Sequence, residues 1–203
     1  MTSDDPRTEP NGDELSASGA ERRFVGLLEA AELMGGFSWL EREMFGVLGA
    51  WSTTEGDPTD AVMLADHSRR SIWHSQLWFD RIPELSNVDA ESLVRAPSAE
   101  MADLMADLGG LTGTVERLVG GYRVMCTHLL STYDAFGESI DSVSAPSVHR
   151  WLAFITSDLV EQWKWGERRL RELLDSPESV TSALDIQREL ELRLLRGPGT
   201  ISG

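Results

Sequence analysis

The sequence predicts an all-α protein: an up-down four-helix bundle with one long crossover and an additional C-terminal helix. Three observations support this. Four long segments repeat apolar side chains every three to four positions, the helical period. Proline and glycine punctuation falls between those segments, at EGDPTD (55–60), Pro83 and Pro146. The joins after the first and third segments are short, which makes their flanking helices antiparallel neighbours, whereas 83–97 is long enough for the second and third to run the same way.

The first helix is expected over about 21–53, where Gly26, Leu33, Phe37, Leu40, Met44, Val47 and Trp51 share one side. Gly35-Gly36 within it permits a bend or a close helix approach. The second is expected over 60–82, capped by Asp57 or Thr59, with Ala61, Leu64, Ala65, Ile72, Phe79 and Ile82 on its apolar arc. A third region starts near Ser98, pauses at Gly109-Gly110 and continues to about 137. Its inward face is Leu111, Val115, Leu118, Tyr122, Met125, Cys126, Leu129, Tyr133 and Phe136. The fourth follows Pro146 to about 175, with Val148, Trp151, Leu152, Ile155, Leu159, Trp163, Gly166, Leu170 and Leu173 as its buried stripe. A shorter amphipathic helix near 179–195, carrying Leu184, Gln187, Leu190 and Leu194, packs across the bundle or against a second subunit. Residues 1–19 read as a disordered tail, 20–197 as one helical domain and 198–203 as a flexible C-terminus.

Composition bounds the function. With Lys+Arg 18 against Asp+Glu 34, the net charge is -16, which argues against a nucleic-acid surface. An acidic substrate would need a local basic pocket to overcome this field. Cys126 is the one cysteine, so an internal disulfide framework and a thiolate metal cluster are excluded, and it is expected to be buried. No run reaches the roughly 18 apolar residues of a membrane span, and the acidic N-terminus lacks a signal-peptide core. A cytoplasmic protein without membrane contact is expected. Gly-x-Gly-x-x-Gly, Gly-x-Ser-x-Gly and His-Glu-x-x-His motifs do not occur.

Two polar stripes stand beside the apolar faces. On the second helix His67, Ser71, His74 and Trp78 follow at intervals of four, three and four; on the fourth, Asp158, Gln162, Trp165 and Arg169 repeat those intervals. Glu29 and Glu43 bracket Gly36 on the first helix, and Tyr122 and Tyr133 bring hydroxyls from the third. Set against each other, these flanks would enclose carboxylates, imidazoles, an indole and a guanidinium.

The helix order and the single crossover resemble the ferritin-like superfamily over about 21–175. That resemblance implies a diiron ligand set of one glutamate on helix one, Glu-x-x-His on helix two, a glutamate on helix three and Glu-x-x-His on helix four. Glu43 or Glu29 could match the first position. The remaining positions depart: Asp66-His67-Ser68-Arg69 ends in arginine, helix three has no inward carboxylate, and Asp158-Leu159-Val160-Glu161 has a carboxylate where histidine is needed. His67 and His74 are two turns apart, about 10 Å along the axis, too far to share one small ion without distortion.

The sequence therefore points to a metal-independent bundle with no cofactor that binds a small aromatic or polycyclic molecule, with acid/base chemistry as its candidate activity. His67 or His74 would move a proton, Asp158 or Glu43 would orient the imidazole, and Tyr122 would stabilise developing negative charge. Glu43, Ser71, Trp78, Gln162, Trp165 and Arg169 would line the ligand. Two alternatives stay open: a non-heme diiron oxygenase, and a noncatalytic oligomeric interaction protein. The second would be a homodimer using Trp73 and Leu77, with Phe24 and Phe45, as outward apolar groups.

Overall fold

The computed structural model describes residues 25–140 and 145–196. The tails expected at 1–19 and 198–203, and Phe24, lie outside the described residues. Within them the chain is helical apart from turns and an isolated bridge between Leu85 and Val88. The helices are α1 (Leu27–Thr54), α2 (Pro58–Phe79), α3 (Ala90–Leu93), α4 (Ala99–Gly109), α5 (Thr114–Leu118), α6 (Thr127–Ser139), α7 (Pro146–Leu173) and α8 (Pro177–Arg196), with a π-helical segment, Val119–Cys126, joining α5 to α6. No described helix is long and apolar enough to cross a membrane.

Local chemistry sets the helix starts. Asp57 caps α2 by accepting the backbone N–H groups of Thr59 (2.8 Å) and Asp60 (3.3 Å), and Pro58 supplies a first-turn residue with no N–H to satisfy. Ser98 caps α4 through the Met101 N–H at 3.1 Å. The connection between α2 and α4 carries the one-turn α3. That turn sits hard on α1 at Gly35, where a Cβ would collide with the Leu93 carbonyl.

Side-chain contacts give the helix directions. Ser75 Oγ donates to the Ser38 carbonyl (2.8 Å) and Ser68 Oγ to that of Phe45 (2.8 Å), so α1 and α2 run antiparallel, held close by small side chains. His67 meets Tyr122 and Trp78 meets Tyr133, so α2 runs parallel to the π–α6 limb. Arg123 pairs with Glu167 and His149 with the Ile140 carbonyl, which makes α6 and α7 antiparallel. The short and long joins thus act as the sequence suggests. α8 lies across the bundle, burying Ala183 and Leu190 and pairing Arg193 with Asp107 of α4. Leu184, expected on its buried face, is exposed.

The core centres on Phe37, whose ring lies 5.0 Å from Trp78, 5.0 Å from Tyr133 and 5.1 Å from Phe136. Cys126 is buried, and burial pushes its thiol well above the usual range. Several positions differ from the apolar-arc reading. Ile72 and Trp163 are exposed, while Leu77 is 8% exposed and Trp165 is buried. The inward face of α2 is largely polar, comprising Asp60, His67, Ser68, Ser71, His74 and Ser75, so the apolar residues do not mark it. Leu77 therefore belongs to the core, while Trp73 (45% exposed) and Phe45 (42%) are outward as expected of interface groups.

A Cβ at Gly166 of α7 would run into the Tyr122 ring, a rigid obstacle on the π segment. Gly166→Ala is expected to cost about 1–3 kcal/mol by overpacking. Urea unfolding monitored by circular dichroism checks this; an unchanged midpoint would mean that the α7–π contact is looser than described.

Candidate functional site

Four helical elements converge on one buried polar line. α1 contributes Glu41 and α2 contributes His74, both fully buried; α7 supplies the partly exposed Asp158, and α6 supplies Tyr133. His74 Nε2 lies 3.1 Å from Asp158 Oδ2, and His74 Nδ1 lies 3.4 Å from Glu41 Oε1. The Tyr133 hydroxyl donates to Glu41 Oε1 at 3.0 Å and itself accepts from Trp78 Nε1 at 3.1 Å. An imidazole is thereby held between two carboxylates, with a phenol and an indole continuing the line inward.

Outside this line, Arg70 gathers three carboxylates. Its Nε donates to Asp66 (2.9 Å), and its Nη1 to Asp158 (3.2 Å) and Glu161 (3.1 Å). One turn along α7 from Asp158, Gln162 is buried with its Nε2 unpartnered. Glu41 Oε2 is likewise buried without a donor. Unpaired polar atoms at such depth are rare and each leaves hydrogen-bonding capacity in reserve.

The second histidine sits two turns away in different surroundings. His67 Nδ1 is 2.7 Å from the Tyr122 hydroxyl, and its ring stands edge-on to Tyr122 and Trp165. Burial, reinforced by the nearby Arg70 cation, pushes its pKa down to about 4, so it is neutral at pH 7. For His74 burial acts downward too, but the Glu41 and Asp158 carboxylates outweigh it and the pKa lies above the usual value. Burial raises the Tyr122 and Tyr133 phenols well above their usual range, and the Glu41 charge adds to this at Tyr133. Two histidines on one helix are thus driven in opposite directions.

The residues singled out from the sequence divide accordingly. His67, His74, Trp78, Tyr122, Asp158 and Trp165 join the two buried clusters, while Ser71 and Gln162 are buried on the same faces. Glu43 is half-buried and takes no part in the described hydrogen bonds. Glu41 holds that place, because it continues the stripe Phe37, Met44, Leu48 and Trp51 on the face of α1 that turns inward. Arg169 is also displaced from the site. It binds Asp60 (2.8 Å), Asp57 (3.1 Å) and Glu172 (3.0 Å), clamping α7 to the start of α2. Eleven residues separate it from Asp158, about 16 Å along the helix. Tyr122 bonds His67, one of the two candidate proton-moving histidines, and Tyr133 is the phenol on the Glu41 line. Arg70 had no place in the sequence reading; its signal is its position four residues after Asp66 and four before His74.

The donor set does not suit a metal centre. Glu41 and Asp158 approach opposite nitrogens of His74, so no single ion could meet all three. The carboxylates that do converge, Asp66, Asp158 and Glu161, converge on a guanidinium. Among the described residues, no group of three or more His, Cys, Asp or Glu side chains is placed to hold a metal ion.

Tyr133 has a second environment. It lines a groove of about 520 Å3 between α6 and α7, walled by Gly137, Leu152 and Val160 and rimmed by Asp134 and Glu138. No protein-family model, curated protein or solved structure gives a significant match to this chain. Fold and site define it as an all-α helical bundle with a buried carboxylate–imidazole–carboxylate line.

The neutral state of His67 has a consequence for stability. Unfolded, the imidazole takes a proton near pH 6.5; folded, it resists until about pH 4, so stability present above 6.5 is lost as the pH falls through that window. At pH 4 this amounts to roughly 3 kcal/mol. Substituting His67→Asn, which keeps a polar group near Nδ1, should remove that part of the acid sensitivity. Paired urea titrations of both proteins at pH 7 and pH 4 measure it; parallel losses would show that His67 is not held neutral.

Proposed function

We propose that this chain is a metal-independent bundle that binds a small molecule in the α6–α7 groove and exchanges a proton with it through Tyr133, Glu41 and His74. The carrying observation is the proximity of these groups. Part-exposed Asp158 bonds His74, and buried His74 Nδ1 lies 3.4 Å from Glu41 Oε1 without a hydrogen bond. Tyr133 bonds Glu41, and the buried Tyr133 is also a wall residue of the groove. We further read the bundle as ferritin-like in topology, on the strength of its helix directions and its long crossover.

In this reading Glu41 is the base and Tyr133 the relay. A proton leaving the ligand passes to the Tyr133 oxygen as the phenolic proton moves to Glu41 Oε1, so the phenol ends unchanged and Glu41 neutral. The Trp78 N–H, aimed at the same oxygen, stabilises negative charge developing there. With His74 as the imidazolium, its Nε2 proton leaves towards Asp158 and solvent while Glu41 keeps the one it received. The ligand loses one proton, solvent gains one, and the pair ends as neutral Glu41 and the neutral Nδ1–H imidazole. One proton travels from ligand to solvent, and reversal protonates the ligand. Trp165 and Tyr122 keep His67 neutral and outside this line. The donor geometry favours this reading over a diiron oxygenase, since Arg70 occupies the place where carboxylates converge.

The full burial of Glu41 and His74 also suits a noncatalytic role, in which the charged line fixes helix register. The two readings separate at the proton. Because Glu41 is the foremost group raising the His74 pKa, Glu41→Gln should move it downward, and Asp158→Asn should do so to a lesser degree. The sign for stability follows: a raised imidazole pKa contributes fully below pH 6.5 and is lost as the pH rises through the folded value, so Glu41→Gln should lose its stability deficit at alkaline pH. Imidazole NMR titration supplies the first readout, and hydrogen–deuterium exchange on a groove-bound aromatic compound found by NMR screening supplies the second. Proton exchange unaffected by Glu41→Gln and Tyr133→Phe, in proteins that still fold, would leave only the structural role.

A further inference from the structure

We infer that two copies of this chain associate through the outer face of α8, the two helices lying antiparallel about a two-fold axis. One face of α8 is already committed to its own bundle. Ala183 and Leu190 are buried there, Ile186 and Leu194 pack on the core, and Arg193 pairs with Asp107. A helix lying on a bundle ordinarily turns polar side chains outward. This one carries a second apolar stripe instead, in which Leu184 is 54% and Leu195 72% exposed, with Val180 and Leu192 exposed beside them. Leu184, Arg188, Glu191 and Leu195 follow at intervals of four, three and four, the spacing of a helix–helix seam, and all four are exposed.

The order of residues within the stripe selects a second copy as its occupant. Leu-Arg-Glu-Leu is its own complement when reversed. Laid antiparallel, Leu184 meets the partner's Leu195 and Arg188 meets the partner's Glu191, and the two-fold axis repeats both pairs. A parallel arrangement would set arginine on arginine and glutamate on glutamate, which like-charge repulsion disfavours. A lipid surface would have to accept Glu191 along with the leucines, and the net charge of -16 opposes anionic headgroups. That net charge also opposes a second copy at long range. Salt at about 0.15 M screens charges beyond about 8 Å, however, and leaves those within the contact to decide. One helix pair is at the small, transient end of protein interfaces, so the dimer is weak and depends on concentration.

Sedimentation velocity of the full chain in about 0.15 M salt, from about 5 μM to about 500 μM, should show a reversible monomer–dimer equilibrium. Leu184→Glu with Leu195→Glu, both at exposed positions, should weaken it at least about tenfold while the circular dichroism spectrum is unchanged. Arg188→Glu alone should weaken it too, and adding Glu191→Arg should restore it, because the swapped stripe is again its own complement. Oxidation reads the register. Leu184→Cys with Leu195→Cys should form a covalent dimer, whereas neither single variant should, because equivalent positions in the two copies are eleven residues, about 16 Å, apart along the axis. The native Cys126 is buried and does not interfere. A monomer throughout the concentration range overturns the inference. So does a dimer that persists in the double glutamate variant, which would place the contact elsewhere. Cross-linking by the single cysteine variants as readily as by the pair, or no recovery in the charge swap, overturns the antiparallel pairing.

Discussion

Burying a carboxylate and an imidazole at zero exposure between four helices is the constraint around which the bundle is arranged. An isolated charge at that depth costs several kcal/mol, and removing one partner of a buried pair leaves the other uncompensated. Glu41 and His74 therefore need each other, and each needs more. Tyr133 and Trp78 give Glu41 a phenol backed by an indole; Asp158 gives His74 its second carboxylate; Arg70 then offsets Asp158. Every one of these partners comes from a different turn of α1, α2, α6 or α7, so the charge network and the helix register specify one another.

The close approach of the helices follows from the same need. Short polar reach requires that backbones come near, and the α1–α2 seam accordingly includes serines that bond across it beside the Phe37–Trp78 contact. On the opposite side, the π segment Val119–Cys126 carries Gly120 and Gly121 against Leu108 and Trp51, and Gly166 of α7 lies under the Tyr122 ring. Such wide-turn segments are uncommon and concentrate at functional sites. Here the segment presents Tyr122 to His67, while the regular helix that follows presents Tyr133 to Glu41.

Helix order, helix direction and the paired stripes on α2 and α7 were legible because loop length and four-three-four spacing are direct consequences of helical geometry. The facing of those stripes is seen in His67 against Trp165 and His74 against Asp158. What stayed hidden was rotation. The rule that apolar residues turn inward is a poor guide on α2, whose interior face mixes serine, histidine and aspartate with Leu64, Leu77 and Trp78, so the apolar arc puts Ile72 inside and Leu77 outside. The same rule drew attention to Leu40 and away from Glu41, although Phe37, Glu41, Met44, Leu48 and Trp51 form an equally regular stripe. A buried charge looks like a surface charge until its partners are known, and those of Glu41 lie 33 and 92 residues away, at His74 and Tyr133, with Asp158 a further 84 residues beyond His74. Across the π segment the apolar period through Tyr122, Met125 and Cys126 marked the buried face but not the wider turn.

The arrangement of cations also explains why a bundle rich in carboxylates need not hold a metal. Carboxylates brought together inside helices require positive charge, and a divalent ion is one source of it. This chain sets a guanidinium among Asp66, Asp158 and Glu161, and beside Glu41 an imidazole whose pKa the neighbouring carboxylates raise. The exchange has a chemical consequence. A metal binds ligands and activates oxygen or water at open coordination positions, whereas Arg70 has only donors and no proton to lose in the accessible range. His74 does have one. Of the two groups, only the imidazole can change its charge in the accessible range, and it is the one placed between the buried carboxylate and the partly exposed one.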